Sequence, residues 1–471
     1  MRPTEPTALG GPPAPADTIP WRAFAVTVAG AFMVALDLSI VNVAFPSIEA
    51  SFSDASTTTL SWVLSGYSVV FGALLLGAGR LADRSGRRRA FLQGLSVFTL
   101  GSLLCGAATS AELLIAGRVV QAIGAALLMP ASLALLLAAT PASARAQAVA
   151  MWGGISALAV ATGPSLGSVL IDAGGWRWAF LVNLPVAVLA AVGARRWLTE
   201  SRVGGPRPDL VGIAALSAAV AAAALAITQG GDWGWTSPAV LGSFAAAAAL
   251  GASVVHRART HDAPALDLRL FESRTVAIAN AATIAYAVGF FAMLLGNVLF
   301  LTNVWGYSTL RAGLAITPGP LVVALLSRST GKLAARVGYG KVLVLGGLVF
   351  ASAQVWSATL MPDRPDYLGR WLLPSLVGGL GVALTFPVLS AAAVAGLPAD
   401  RFAAGGALNQ TARQLGAVLG VALLVALLGT PTSPADAHDQ LTQVWILCAA
   451  AGIVSSAISA LHLVGGRSSR A

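Results

Sequence analysis

Two charged side chains lie well inside long apolar stretches of this sequence, where a charge is costly and is usually kept for a function. Asp37 is the one carboxylate deep within such a stretch, and Arg118 lies within another. Burial disfavours the charged form of a carboxylate, so Asp37 is suited to take up and release a proton. A structural hydrogen bond near a helix end is the alternative role for this side chain.

Asp37 and Arg118 lie at similar depths in their predicted helices. An α-helix rises about 1.5 Å per residue, which places Asp37, nine residues before Pro46, roughly 13 Å from that end of its helix. Arg118 follows the start of its helix at Ala111 by seven residues, or roughly 10 Å. The two helices run in opposite directions, so both side chains are near one level of the bilayer.

The composition indicates a membrane protein. Of the 471 residues, 56% are hydrophobic and 10% are charged, with a mean hydropathy of +0.79, whereas a soluble protein carries about 25% charged residues. The net charge of +10 could suggest a nucleic-acid partner, but the basic residues fall between apolar runs and not beside an aromatic stripe. Cys105 and Cys448 lie inside apolar runs and no histidine has metal-ligand spacing, so neither a disulfide nor a metal site is predicted.

Fourteen segments are long and apolar enough to cross a bilayer as helices, which takes roughly 20 residues each. Lys and Arg concentrate in the tails and the even-numbered loops, while acids concentrate in the odd-numbered loops, so both termini are predicted to be cytoplasmic. The proline-rich first twenty residues are predicted to be a disordered tail. The sequence therefore predicts an all-α, multi-pass membrane protein.

Two similar strings indicate an internal repeat. Gly79–Arg89 (GRLADRSGRRR) follows the second span, and Gly331–Lys341 (GKLAARVGYGK) follows the tenth. Two six-span halves would place six spans between equivalent loops, so two extra spans are assigned to Leu210–Gly230 and Pro238–Val255, which we expect to be peripheral. The predicted organisation is a tail at 1–20, a six-helix bundle at 21–200, two inserted helices and linkers at 201–272, a second six-helix bundle at 273–465 and a tail at 466–471.

Four more strings, in a fixed order around Gly79–Arg89, carry a resemblance to a known family. They are Leu36–Pro46 (LDLSIVNVAFP), Leu113–Ala126 (LLIAGRVVQAIGAA), Gly153–Gly167 (GGISALAVATGPSLG) and Gly175–Pro185 (GWRWAFLVNLP). Together they resemble the signatures of the fourteen-span drug:proton antiporter family of the major facilitator superfamily. The resemblance covers essentially the whole chain and implies the major facilitator fold, with two six-helix bundles, two extra central spans and a substrate cavity between the bundles.

In that fold the first and fourth helices both border the cavity. With the matched depths, the resemblance predicts that Arg118 tunes the protonation of Asp37, directly or through a polar bridge; bonds from Arg118 to backbone carbonyls are the alternative. The resemblance also makes the loop after the second span a conformational latch, formed by Gly79, Asp83, Arg84, Gly86, Arg87 and Arg88. Ala335 stands where the second repeat would need the equivalent of Asp83, so we expect a weaker latch there.

The fifth span is predicted to bend and to pack tightly, because proline removes a backbone donor and small residues allow close approach. The residues concerned are Gly153, Gly163, Pro164 and Gly167. Polar positions in the spans are candidates to line the cavity, although such residues also bridge helices; they are Asn42, Tyr67, Gln121, Asn280, Tyr286, Asn297, Asn409 and Arg413. Arg413 points either into the cavity or toward the cytoplasm.

The resemblance of the fifth-span string to antiporters implies a secondary active transporter, not an enzyme, that exports a small amphipathic drug, antibiotic or natural product. Protons would be the coupling ion, with no cofactor and no nucleic-acid partner. A proton-coupled importer of a metabolite is the alternative, and a membrane-embedded lipid-modifying enzyme is a third hypothesis. Arg outnumbers Lys 27 to 2, which indicates a G+C-rich bacterial genome. We therefore expect a monomer in the bacterial inner membrane.

Overall fold

The computed structural model describes residues 19–141, 145–202, 209–262, 264–266, 268–395, 397 and 402–465. Over these residues the chain is helical. Its α-helices are α1 (Trp21–Ser51), α2 (Thr57–Ser85), α3 (Arg87–Gly106), α4 (Ala111–Ala139), α5 (Arg145–Gly174), α6 (Trp178–Leu181), α7 (Asn183–Trp197), α8 (Leu210–Trp233), α9 (Pro238–Thr260), α10 (Arg274–Leu299), α11 (Thr309–Ile316), α12 (Pro318–Val337), α13 (Tyr339–Leu360), α14 (Leu372–Ala392), α15 (Phe402–Leu428) and α16 (Pro434–Gly465). Single π turns at Phe300–Val304 and Tyr367–Trp371 extend α10 and α14.

Short polar side chains begin several of these helices. Ser56 accepts a hydrogen bond from a first-turn N–H of α2, and Ser110 does the same at α4. Asp209 accepts the N–H of Gly212 at the start of α8. Each oxygen satisfies one of the N–H groups that a helix start leaves without a backbone partner, so each fixes the residue at which its helix begins.

Two glycines end equivalent helices in the repeated strings. Gly86 separates α2 from α3 with a φ of 113°, and Gly338 separates α12 from α13 with a φ of 93°. Side chains with a Cβ rarely adopt this conformation. Both glycines are the eighth residue of their strings, counted from Gly79 and from Gly331. The repeat in the sequence is therefore also a repeat of backbone geometry.

Twelve helical segments in the described part of the chain are long and apolar enough to cross a membrane. The number becomes thirteen when the two parts of α2, which meet at 51°, are taken as one span. The fold is thus multi-pass and all-α, as predicted, but this count stops short of fourteen. Many side chains in the first half of α5 lie outside the described residues.

The helices form two bundles with the same internal packing. In the first bundle, α4 packs against α2 and α3, and α1 packs against α5. In the second, α14 packs against α12 and α13, and α10 packs against α15. We call the side on which α1 begins and α16 ends the terminal face, and the other side the opposite face. The bounds of the two predicted bundles remain predictions.

The pair α8 and α9 lies on one side of the seam between the bundles. α8 contacts both α2 and α15, and Val69, Ala224 and Val418 of these three helices form one apolar cluster. α9 packs along α8. At the terminal face the Arg257 guanidinium binds Asp209, with Nη2 2.5 Å from Oδ1, and this bond holds the pKa of the Asp209 carboxyl below its usual range. Only α9 is therefore peripheral, because α8 fills the seam.

Candidate functional site

A buried ion pair joins α1 to α4. Nη1 of Arg118 lies 2.5 Å from Oδ2 of Asp37, and neither side chain has any exposed surface. The direct contact expected from the matched depths is present. A carboxylate in this position faces neither lipid nor bulk water, so its charge is balanced by the guanidinium alone.

Two amide side chains complete the surroundings of the Asp37 carboxylate. Nε2 of Gln121 and Nδ2 of Asn183 donate to Oδ1 of Asp37 at 3.0 Å and 3.1 Å. The same two nitrogens donate to the Ser102 hydroxyl at 2.8 Å and 3.3 Å. An ionised carboxylate accepts but does not donate, so this arrangement suits the charged form. A proton on Asp37 would leave at least one of these donors without its acceptor.

Sequence reasoning missed Asn183 and Ser102. Asn183 is the first residue of α7, just after the short helix α6, and is 1% exposed. Its signal was present, since it is the one amide in the string Gly175–Pro185. Ser102 gives no such signal, because serine is common in membrane helices and bonds readily to its own backbone.

Arg118 has further contacts inside the first bundle. Its Nε donates to the backbone oxygen of Val63 at 2.9 Å, and Nη1 also donates to Oε1 of Gln121 at 2.8 Å. The guanidinium carbon lies 4.1 Å from the centre of the Tyr67 ring, close enough for a cation–π interaction. The alternative of a bond to a backbone carbonyl is thus also present, beside the ion pair.

The latch loop between α2 and α3 is bound by the segment that follows α7. The two carboxylate oxygens of Glu200 accept the backbone N–H groups of Arg88 and Arg89 at 3.0 Å and 3.1 Å. A carboxylate at this end of a helix is also favoured by the helix dipole. At Gly86 a Cβ would lie 2.7 Å from the Glu200 carboxylate carbon. Sequence reasoning did not select Glu200, which occupies the space beside Gly86, whose φ of 113° already favours glycine.

The other latch residues contact neighbours in the same bundle. Nε of Arg87 lies 2.6 Å from Oδ1 of Asp83, and Nη2 of Arg88 donates to the Arg195 carbonyl at 2.9 Å. Arg84 is exposed, and Gly79 lies near Pro130 of α4. In this conformation the loop is bound within the first bundle.

The small residues of α5 allow close approach to α1. A Cβ at Gly163 would lie 2.3 Å from the Ser39 side chain, and one at Gly167 would lie 3.1 Å from Ile40. α5 continues as one helix through Pro164. The expected tight packing is therefore present, and the bend at Pro164 stays a prediction. Gly153 lies in α5, but its packing is not among the described features.

The bundles are joined toward the opposite face. The Ser165 and Thr317 hydroxyls lie 2.6 Å apart, and those of Ser47 and Thr309 lie 3.4 Å apart. One apolar cluster there includes Phe45 of the first bundle and Phe300 of the second. Toward the terminal face, apolar clusters stay within one bundle: Ile19, Phe24, Val28, Leu136 and Ala148 in the first, and Leu270, Val276 and Leu408 in the second. The described conformation is therefore closed toward the opposite face.

The candidate cavity residues divide between the two bundles and are not brought into one site. Asn42 lines a cavity of about 10 Å³ at the seam with Pro164 and Val298, close to the smallest space that holds a water molecule. Asn297 accepts from the Trp445 indole at 3.0 Å, which makes it a bridge between helices. The Tyr286 ring packs against Phe350 and Phe386, and Gln121 belongs to the Asp37 site.

Arg413 reaches from α15 to the neighbouring helix α14, near the end of α14 at the terminal face. Its Nη2 donates to the Ser390 hydroxyl of α14 at 2.8 Å, and its guanidinium carbon lies 4.8 Å from the centre of the Phe386 ring. Asn409, one turn earlier on α15, donates to Thr283 at 2.8 Å and to Asn280 at 3.5 Å. Asn280, Asn409 and Arg413 thus form a polar group of the second bundle, separate from Asp37.

Comparisons with known proteins agree with this architecture. The chain is 37% identical over 407 residues to the multidrug resistance protein Stp of Mycobacterium tuberculosis, covering 85% of this chain and 74% of that protein. It is 35% identical over 419 residues to the cephamycin export protein CmcT of Amycolatopsis lactamdurans, covering 86% and 85%. It is 31% identical over 403 residues to a methylenomycin A resistance protein of Streptomyces coelicolor, covering 85% and 84%.

Solved structures and a family profile extend the comparison. The crystal structure of an auto-inhibited POT family peptide transporter superimposes with a TM-score of 0.68 at 16% identity, covering 94% of this chain and 97% of that one. At this identity the likeness concerns the fold alone. The profile of the Major Facilitator Superfamily matches residues 27–421. The paired bundles and this match over most of the sequence establish that the chain belongs to the Major Facilitator Superfamily.

Proposed function

We propose that this chain is a proton-coupled antiporter that exports a small amphipathic organic compound across the bacterial cytoplasmic membrane. The observation that carries the proposal is the fully buried pair of Asp37 and Arg118, because a lone acid paired in low dielectric can exchange a proton. The names of the relatives, which include multidrug resistance, cephamycin export and methylenomycin A resistance, support export of a drug or antibiotic.

The coupling step follows from the contacts of Asp37. In the conformation closed toward the opposite face, the Asp37 side chain accepts hydrogen bonds from Arg118, Gln121 and Asn183. A proton that binds Asp37 cancels the charge that these donors satisfy, so α1 is released from α4 and α7. Ser39, two residues further along α1, packs against Gly163 of α5. Release of α1 therefore changes the packing beside the seam between the bundles.

The available energy fits a substantial concentration gradient. A charge crossing 100 mV gains about 2.3 kcal/mol. A proton-motive force of ~150 mV therefore supplies about 3.5 kcal/mol per proton, which sustains a gradient of roughly 300-fold. A single acid in this network supports one proton per cycle through Asp37.

The finer topology is part of the proposal. Fourteen spans result if α2 and α5 each cross the membrane along with the twelve segments identified above. α5 is a 30-residue helix, which exceeds the roughly 20 residues that a span needs. Both termini and the latch loop would then be cytoplasmic, as the positions of Arg84, Arg87 and Arg88 favour. The protein would act as a monomer with protons as its coupling ion and no cofactor.

A susceptibility panel in a bacterial host without its own pumps tests this function. Expression of the wild type should protect against some amphipathic compounds, and Asp37→Asn should abolish that protection at equal protein level. Asp172→Asn, which changes an exposed acid at the end of α5, is the matched control and should retain it. Protection that survives Asp37→Asn would refute the coupling assignment.

Transport in inside-out vesicles decides between export and the importer hypothesis. An imposed outward-directed proton gradient, with acid inside the vesicles, should drive accumulation of a compound found in the panel, and Asp37→Asn should stop it. Efflux from the vesicles along with protons would instead identify a symporter that imports its substrate.

A further inference from the structure

The second bundle contains an arginine whose charge no described acid balances. Arg413 lies within α15, and none of the ion pairs among the described residues includes it. Its Nε is buried and has no hydrogen-bond acceptor in that part of the chain. Arg118, by contrast, is neutralised by Asp37 at 2.5 Å. The two intramembrane arginines therefore differ in kind: one is paired within the protein, and the other retains a free positive charge.

The polar chain around Arg413 is neutral throughout. Arg413 donates to the Ser390 hydroxyl, which in turn donates to Oδ1 of Asn409 at 3.2 Å. Asn409 donates to the Thr283 hydroxyl, which donates to the Ala279 carbonyl at 2.7 Å. Each hydroxyl both accepts and donates, so the chain ends at backbone without supplying a negative charge. These contacts hold the guanidinium in place but leave its charge uncompensated.

Arg413 joins α15 to α14 beside the part of α15 that contacts the first bundle. α14 and α15 both pack against α10, yet the described residues give no extended contact between α14 and α15 themselves. The side chain of Arg413 spans from one to the other, in front of α10. The next residue, Gln414, is in contact with Gly72 of the first bundle. Arg413 itself is partly exposed, next to the part of α15 that contacts the first bundle.

The position of Arg413 along the helices makes it accessible from the terminal face. Ser390 lies two residues before the end of α14, and Asn409 lies seven residues after the start of α15. Both of those ends belong to the terminal face. The hydroxyl bonds and the shared apolar cluster between the bundles lie toward the opposite face, while α2 and α15 also meet at the level of Arg413, where Thr411 donates to the Gly72 carbonyl at 2.9 Å. A molecule arriving from the terminal face would meet Arg413 before it reached the closed half.

We propose that Arg413, held by Ser390 above the Phe386 ring, binds the acidic group of the exported compound. Nε and the guanidinium fork fit a carboxylate with two parallel hydrogen bonds, and Phe386 offers an apolar surface to the adjoining carbon skeleton. The substrate class is therefore amphipathic organic monoanions. This inference rests on the proposed function, because it assigns a substrate class to the same transporter.

Charge balance gives this inference a consequence for energetics. One proton entering and one monoanion leaving move two elementary charges in the same electrical sense. The membrane potential then acts twice per cycle, whereas it acts once when the exported compound is neutral. An anionic substrate would thus be exported against a steeper gradient by the same single acid, Asp37.

Ligand-induced stabilisation of the purified full-length chain tests the site without transport. The probes are naphthoate and its neutral amide, naphthamide, with sodium chloride at the same concentration as the inorganic-anion control. Unfolding is followed with a thiol-reactive dye, because Cys105 and Cys448 are both buried and free. Naphthoate should raise the Tm of the wild type in a saturable manner, and neither naphthamide nor chloride should.

Variants at Arg413 test whether this side chain causes the stabilisation by naphthoate. Arg413→Met should raise the half-saturating naphthoate concentration at least tenfold, and Arg413→Lys, which keeps the charge but loses the fork, should give an intermediate value. Arg364→Met, at an exposed loop position, should bind as the wild type does. The Tm of each variant without ligand reports whether it is folded. Equal stabilisation of wild type and Arg413→Met, no stabilisation by naphthoate, or an equal effect of chloride would each overturn the inference.

The two proposals can fail separately. Asp37-dependent protection against neutral compounds, with no naphthoate binding, would leave the antiporter and remove the anion site. Naphthoate binding through Arg413, with no compound exported, would leave the anion site and remove the antiporter.

Discussion

The Asp37–Arg118 pair should respond asymmetrically to the loss of one partner. Asp37→Asn leaves the guanidinium buried without a counter-charge, and arginine does not lose its proton in proteins. Arg118→Met leaves a carboxylate, which can become neutral by taking up a proton. Because both side chains are 0% exposed, water cannot compensate either loss. We expect Asp37→Asn to lower the free energy of unfolding by about 3–5 kcal/mol and Arg118→Met to lower it by less.

The surrounding amides explain why asparagine cannot substitute for Asp37. An amide group at position 37 would meet the Gln121 and Asn183 nitrogens, which now donate to Oδ1 at 3.0 Å and 3.1 Å. Only the orientation that points the new amide oxygen at Arg118 satisfies the guanidinium. In that orientation the new amide nitrogen, a donor, faces the donor nitrogens of Gln121 and Asn183. A lost hydrogen bond to a charged group costs about 1.5–3 kcal/mol, which lies within the total above.

A double-mutant cycle measures the effect. The double variant Asp37→Asn, Arg118→Met contains no buried charge, and neutral replacements of a buried ion pair are often close to neutral in stability. It should therefore be more stable than Asp37→Asn alone, by Tm with the thiol-reactive dye, while the control Asp172→Asn should match the wild type. A double variant as unstable as the sum of the two single variants would refute the reasoning.

Two further predictions concern the ends of the helices. The Asp209 carboxyl has a lowered pKa in the folded chain. Its contribution to stability is therefore full above the unfolded pKa of about 3.9 and is lost as pH falls through the folded pKa. Asp209→Asn should flatten the decline of Tm between about pH 5 and pH 2. At Gly313 a Cβ would lie 2.5 Å from the Pro164 carbonyl oxygen, so Gly313→Val should open the seam and increase labelling of a cysteine introduced at Ser47. Gly406→Val, where a Cβ has open space, should leave this labelling unchanged, and unchanged labelling in Gly313→Val would contradict the assignment.

The sequence was most informative about charged residues, which are rare inside membrane helices. Two charges at matched depth in long apolar runs, together with the resemblance that places the first and fourth helices beside the cavity, predicted that Asp37 and Arg118 interact directly or through a polar bridge. Asn183 and Ser102 were not predicted, because uncharged polar residues occur in many membrane helices and only their partners reveal their role. Glu200 was missed for a related reason: its sequence position gives no indication that the chain returns to the start of α3.

Direction around a helix was the second limit of sequence reasoning. Arg413 was placed within a span, but its two predicted orientations could not be separated, because Ser390, the side chain it contacts, lies on another helix. The inserted helices show the same limit. Their alanine-rich composition predicted peripheral positions for both, whereas α8 contacts two bundles and only α9 is peripheral. Hydrophobicity identifies a span but not its neighbours.

The helices α8 and α9 lie at only one of the two flanks where the bundles meet. Carriers built from two bundles have two flanks at which a lipid-dissolved molecule could slip between them. Here the flank formed by α2 and α15 is occupied along its length by α8, with Ile213 pressed against Gly77. The other flank, beside α5 and α12, has no inserted helix among the described residues. Substitutions on that flank should alter which lipophilic compounds are captured, and equivalent substitutions beside α9 should not.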